Sequence, residues 1–185
     1  MSWIKEIDEH EASGELAEVY AALQKMRGKV ANILKIHSLN PRSLKNHVDL
    51  YMTLMFGDSG LGRGERESIA VVTSAANECD YCVNHHEEAL KRYQKDPETL
   101  KLLREANGFA GLDARAAAML AHARKLTKTP AEVSAADIDA LRVAGFDDRD
   151  ILDITLIVAY FNFVNRVALG LGVAFSDKEL TGYRA

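Results

Sequence analysis

Glu65-Arg66-Glu67-Ser68-Ile69-Ala70-Val71-Val72-Thr73-Ser74-Ala75-Ala76-Asn77-Glu78-Cys79-Asp80-Tyr81-Cys82-Val83-Asn84-His85-His86 is the stretch on which the fold turns. Its first half gathers Ile69, Ala70, Val71, Val72, Ala75 and Ala76 and reads as a buried helix over residues 65–77. Its second half reads as another helix over 79–93. The only two cysteines of the chain lie here, three positions apart. On a helix Cys79, Cys82 and His86 occupy i, i+3 and i+7, a single stripe, with His85 rotated off it. Cys79 falls at the helix start, where unpaired N–H groups and the helix dipole favour a thiolate. A straight helix would hold Glu67 roughly 18 Å from Cys79, at about 1.5 Å of rise per residue. Glu67 joins the cysteines only if the chain reverses between Asn77 and Asp80, with Asn77 the expected left-handed terminator. Two antiparallel helices would then bring Glu67 and His86 to one level.

Outward from this stretch the pattern stays helical. No convincing alternation of period two occurs, so the fold class is all-α. Ser13 is placed to cap a helix through Arg27, with Leu16, Val19, Tyr20, Leu23 and Met26 on one face. Asn40-Pro41 opens a helix that Gly57 ends. Gly60-Leu61-Gly62-Arg63-Gly64 reads as a loop; it follows no strand and lacks a Walker lysine, so it is not read as a phosphate cradle. Asp96-Pro97 begins a short helix ending near Gly108, and Asp113 caps one to about Lys125. Ser134 with Asp137 resembles a capping box for a helix ending at Gly145. Asp147 caps the last long helix, to about Gly170. The tail from Asp177 is polar and is expected to dock on a neighbouring element or to fray. A faint internal duplication aligns Glu67-Ser68-Ile69 with Asp150-Ile151-Leu152, which sets Cys79 on Asn162 and Cys82 on Asn165.

The chain of 185 residues reads as a single domain, 1–185, with a core motif region at 61–95 and an N-terminal helical arm at 1–57. A net charge of −4 leaves no basic patch for nucleic acid or an anionic membrane. The first ten residues lack the apolar run of a secretory signal. The most apolar segment, residues 151–167, is interrupted by Asp153, Asn162, Asn165 and Arg166, which argues against a membrane span. A cytoplasmic location is therefore expected, where a CxxC pair is redox-active or metal-binding more often than structural.

Two sulfurs able to close a disulfide, with a base nearby, are equipment for thiol redox chemistry. A thiolate attacks the O–O bond of a hydroperoxide and becomes a sulfenic acid, and a second thiol condenses with it to a disulfide. A histidine oriented by glutamate eases thiolate formation and protonates the leaving alkoxide. Plainer readings stand beside this one. The cysteines are two buried residues with no role, or Glu67, Cys79, Cys82 and His86 are four zinc ligands. A thioredoxin fold lacks its strands here. His10, His37, His47 and His122 are read as surface or capping residues and Tyr81 as packing or pocket lining. Asn165-Arg166 is read as a buried polar pair, with Arg166 expected to find a carboxylate.

Through Glu67, Cys79-Asp80-Tyr81-Cys82 and His86, within residues 61–90, the chain resembles the alkylhydroperoxidase D / carboxymuconolactone decarboxylase superfamily. It looks most like the uncharacterised peroxidase-related branch. Trp3-Ile4 with the helix that follows, and Tyr160-Phe161-Asn162-Phe163-Val164-Asn165-Arg166 through Gly172-Val173, extend the likeness over most of the chain. The resemblance implies an alkylhydroperoxidase D-like helical bundle whose subunits form dimers, trimers or hexamers. It implies a thiol-dependent peroxidase in which Cys82 attacks the hydroperoxide and Cys79 resolves. Glu67 and His86 become the proton relay, with no bound cofactor and no metal. A lipoylated or thioredoxin-like protein is the implied reductant. One departure stands out: alkylhydroperoxidase D carries a histidine between its cysteines, where this chain has Tyr81. The decarboxylase branch generally lacks the CxxC, so lactone decarboxylation is not expected. Two rival functions remain open: a general disulfide oxidoreductase or redox sensor, and a metal-binding module.

Overall fold

The computed structural model describes residues 2–175 and 177–180, and it is helical throughout, with no strand among the described residues. The chain forms two compact units: Met1–Met52 with Arg166–Ala185, and Thr53–Asn165.

In the first unit, α1 (Gly14–Arg27) follows Ser13 and stops at Gly28, whose φ of 86° turns the chain left-handed while its N–H closes on Gln24 O at 2.9 Å. Leu16, Tyr20 and Leu23 are buried and join Val30, Leu44 and Val48 in a core. Met26, expected on that face, is instead 43% exposed. The 4-3-4 spacing from Leu16 continues at Arg27, not Met26, and the Arg27 guanidinium lies over the Tyr51 ring at 5.4 Å. A four-residue helix, α2 (Asn32–Lys35), was not anticipated; α3 (Pro41–Phe56) was, with Asn40 Oδ1 accepting from Ser43 N at 3.0 Å. Part of the polar tail folds as α10 (Asp177–Leu180). There Glu179 Oε1 accepts from Asn32 N at 2.6 Å and Glu179 O accepts from Lys29 Nζ at 2.8 Å. The rest of the tail, 181–185, lies outside the described residues.

Two histidines expected at the surface or as caps, His47 and His122, are buried. His47 is only 6% exposed, and its Nδ1 meets His37 Nε2 at 3.0 Å with the rings edge to face. Burial, and then the neighbouring His37, hold His47 down at about 3. The folded unit thus keeps His47 neutral where the unfolded chain protonates below about 6.5. Above that pH the group contributes no difference; as pH falls the unfolded state takes up a proton the folded state refuses. Chemical denaturation of the wild type should lose about 2 kcal/mol between pH 7 and pH 5 from this residue, and His47→Leu should flatten that slope. An unchanged slope in a folded His47→Leu would refute the assignment.

The second unit holds the last turn of α3, α4 (Arg63–Ala76), α5 (Asp80–Leu90), α6 (Pro97–Glu105), α7 (Ala114–Lys128), a 3-10 turn at Pro130–Glu132, α8 (Ala135–Val143) and most of α9 (Asp148–Leu171). Caps were the most legible features. Asp96 accepts from Thr99 N at 3.0 Å, Asp113 from Ala116 N at 2.9 Å, Asp147 from Asp150 N at 2.8 Å, and Asp137 from Ser134 N at 2.7 Å. The expected loop through Gly64 ends earlier, at Gly62. Glu65 Oε2 accepts the Gly62 N–H at 2.7 Å and starts the helix at Arg63. Arg66, buried, ties this corner by donating to Leu61 O at 2.9 Å, Gly57 O at 2.9 Å and Leu54 O at 3.2 Å. α5 stops at Leu90 rather than Tyr93, and α6 at Glu105, where Ala106 turns left-handed. α9 is long and apolar enough to cross a membrane by length and composition alone. Ile154, Ile157, Val158, Phe161, Val164 and Asn165 are nonetheless buried within the protein, as in a core helix. The segment aligned with the cysteine hairpin, 150–165, runs as uninterrupted helix and has no reversal.

Candidate active site

The 4-3-4-3 spacing of Arg63, Glu67, Ala70, Ser74 and Asn77 puts these five residues on one stripe of α4. Ala70, fully buried, keeps the middle of the stripe narrow. α4 packs most extensively on α5, so the stripe meets the cysteines.

The reversal between these helices is a Schellman motif. Cys79 N donates to Ser74 O at 2.9 Å and Glu78 N to Ala75 O at 3.0 Å, and the left-handed residue is Glu78, with φ of 57°. Asn77, expected in that role, has φ −88° and ψ 0°, one position too early. Cys79 is thus the residue that closes α4 and the N-cap of α5. Its sulfur sits where the unpaired N–H groups of α5 gather.

The reversal brings Glu67 and His86 together: His86 Nδ1 lies 2.7 Å from Glu67 Oε2. Glu67 is completely buried, and its other oxygen accepts from Arg63. The Arg63 guanidinium is stacked 3.7 Å from the centre of the Phe56 ring and donates to Met55 O. The imidazole of His86 is braced edge-on by Phe161 at 4.5 Å. With Nδ1–H donated to Glu67, Nε2 is the nitrogen left for chemistry. His85 faces elsewhere; its Nδ1 lies 2.8 Å from Tyr81 O and its ring stacks on Tyr81. Tyr81 is buried as a packing residue.

Both cysteines are free thiols, 1% and 2% exposed. They are hydrogen-bonded to each other, and the bond acts oppositely on the two. The hydrogen bond from Cys82 draws the Cys79 thiol below its usual range, against burial and the charge of Asp80. That same bond, with burial, pushes Cys82 well above its own. The acidity order therefore agrees with the helix-start argument for Cys79 and runs opposite to the resemblance, which makes Cys82 the nucleophile. One hydrogen bond joins the sulfurs, so a proton moving along it exchanges which of them carries the charge.

Sequence reasoning missed Arg63, Ser74 and Asn77, although their stripe with Glu67 was open to view. Asn165-Arg166, read as a buried polar pair, is divided in the structure: Asn165 is fully buried, while Arg166 is exposed. Asn165 acts on both thiols in the same sense, lowering each, as the smallest of the influences on them. Both oxygens of Glu67 are engaged, by Arg63 and by His86. Among the described residues no three His, Cys, Asp or Glu side chains gather as a metal site.

The carboxymuconolactone decarboxylase family pattern matches residues 41–125. No curated protein matches the chain. Among solved structures it is similar to an uncharacterized peroxidase-related protein from Silicibacter sp. TM1040, 34% identical over 99% of this chain and 96% of that one, with a TM-score of 0.84. It is equally similar, at 34% identity, to a peroxidase-related protein of the alkylhydroperoxidase AhpD core from Ralstonia eutropha JMP134. That likeness covers 97% of this chain and 94% of the other, at a TM-score of 0.85. The debrominase Bmp8 shares the fold at 18% identity and a TM-score of 0.77, over 94% and 92% of the two chains. Identity of this level over nearly the whole length, with the same helical fold, places the chain in the carboxymuconolactone decarboxylase family, among its AhpD-like, peroxidase-related proteins.

Proposed function

We propose that this protein is a thiol-dependent peroxidase that reduces organic hydroperoxides or hydrogen peroxide through a Cys79–Cys82 disulfide. The observation that carries the reading is the Arg63–Glu67–His86 chain ending one helical turn from Cys82 on α5. A buried carboxylate fixed at both oxygens holds the imidazole in one tautomer, and Nε2 then serves as base and acid. His86 takes one proton from the cysteine pair, leaving one thiolate and one thiol. The remaining S–H proton passes to Cys79 as Cys82 attacks the terminal oxygen of the hydroperoxide. The O–O bond breaks, Cys82 becomes a sulfenic acid, and the alkoxide takes the proton from His86 to leave as alcohol. The Cys79 thiol then attacks the sulfenic sulfur, and hydroxide departs with the thiol proton as water. An external dithiol, carried by a lipoylated or thioredoxin-like protein, returns the disulfide to two thiols.

Near-complete burial of both sulfurs supports this reading over general disulfide exchange, since a small hydroperoxide reaches them with less opening than a protein thiol needs. The test is cumene hydroperoxide consumption by the pre-reduced protein, with thiols counted in denaturant before and after. Loss of two thiols per chain, with one alcohol formed, is the expected result; intact thiols after excess peroxide would overturn the proposal. An oligomer of this chain, acting in the cytoplasm, belongs to the same proposal, and light scattering tests the former.

A further inference from the structure

The cysteine pair rests on a chain of side-chain amides that has a fixed polarity. It begins at two groups that only accept. Thr127 Oγ1 donates to Ala123 O at 2.8 Å, and Asn162 Nδ2 donates to Val158 O at 3.0 Å and to Thr127 Oγ1 at 3.2 Å. Asn162 Nδ2 is therefore committed, and its Oδ1 faces Asn77. Asn77 Nδ2 donates to Asn162 Oδ1 at 3.1 Å and to Asn165 Oδ1 at 2.9 Å. With its oxygen taken, Asn165 can only turn Nδ2 onward, and one hydrogen goes to Ser74 Oγ at 3.1 Å. The remaining hydrogen is the one donor this amide has left for the cysteine pair, beside Ser74, whose backbone carbonyl accepts from Cys79 N at 2.9 Å. Asn165 is fully buried, so no water competes for it.

We propose that Asn165 is the donor that holds negative charge on the Cys79–Cys82 pair, and that Asn77, Asn162 and Thr127 are positioning residues that fix its direction. The assignment deepens the peroxidase reading and rests on it for its catalytic meaning, but the charge it describes exists with or without peroxide. Each link polarises the next in a low-dielectric interior, so the last hydrogen is a stronger donor than an isolated amide. Asp80, at the start of α5, opposes the same charge. The amide acts on both sulfurs, as both respond to Asn165 in the same sense. It therefore stabilises the thiolate wherever the proton between them sits, at rest and during attack. Neither asparagine of α9 resembles a catalytic group in sequence, yet they occupy the two positions that the faint duplication aligns with the cysteines.

The test is the ultraviolet thiolate absorbance of the reduced, full-length protein as a function of pH, in Asn165→Leu and Asn77→Asp. Asn165→Leu removes the donor with little change of volume. Asn77→Asp keeps Asn165 but replaces the donor facing its oxygen with an acceptor, so the amide turns around and points oxygen at sulfur. Both should move the thiolate transition to higher pH, with roughly ten-fold less thiolate on the lower limb of the curve. A folded Asn165→Leu protein that titrates like wild type overturns the proposal. If that variant does not fold, Asn77→Asp decides by the same criterion. A merely structural role would lower the melting temperature and leave the transition where it was. A shifted transition in a protein that consumes no peroxide would sink the peroxidase reading and leave the assignment of Asn165 standing.

Discussion

Cys82→Ser is expected to lose peroxide turnover altogether, a fall on the order of 10⁴-fold or more, while Cys79→Ser consumes one equivalent and stops. The first variant lacks the attacking sulfur. The second forms a sulfenic acid that nothing resolves, and a dimedone adduct on Cys82 would record it by mass. The experiment is sharp because acidity and position point to different sulfurs. Cys79 caps α5 and is drawn down by the hydrogen bond from Cys82, so it is the more acidic of the two thiols. Cys82 lies one turn from His86 on the same helix, where the leaving alkoxide can be protonated. Sulfenic acid trapped in Cys82→Ser instead would exchange the two roles and keep the peroxidase. No adduct in either variant would remove it.

Replacing Glu67 should have the second largest effect, and its two forms separate orientation from stability. Glu67→Gln keeps the shape but presents an amide where Arg63 and His86 both donate. One of them must lose its acceptor, and a turned amide favours the other imidazole tautomer. The rate of thiol oxidation should fall by roughly 10²–10⁴-fold with little change in fold. Glu67→Leu strands the Arg63 guanidinium in a part-buried position. Loss of one member of such a pair costs about 3–5 kcal/mol, so unfolding in urea should shift accordingly. The Phe56 ring and Met55 O still hold Arg63, which sets the result toward the lower end. Full activity in Glu67→Gln would dissociate the carboxylate from the chemistry.

What was legible from sequence was local. Asn40-Pro41, Asp96-Pro97, Asp113 and Ser134 with Asp137 announce helix starts because each cap bonds within three residues of itself. The antiparallel reversal was also within reach, because Glu67 lies ten residues before Asn77 and His86 six after Asp80, so that two antiparallel helices bring them to a similar level. Its left-handed residue was assigned to Asn77 on propensity, but the Schellman bonds to Ser74 O and Ala75 O place it at Glu78. Four-residue α2 has too few positions to show a period. The remainder depends on partners far along the chain. His47 reads as polar and hence exposed, and the approach of His37 across the turn before α3 gives its buried Nδ1 a partner. Asn165 looks like one more polar residue on an apolar helix; its meaning comes from Ser74 and Asn77, about ninety residues earlier.

The near-complete burial of the two sulfurs has a consequence for how their chemistry is timed. A sulfur that is 1% or 2% exposed meets a bulky reagent only while the local structure is open. Labelling with aromatic disulfides should therefore saturate as reagent is raised, at the speed with which the α4–α5 hairpin loosens, whereas a small peroxide should not saturate at that same ceiling. Two thiol reagents of different girth would thus measure breathing and reactivity separately on one pair of atoms.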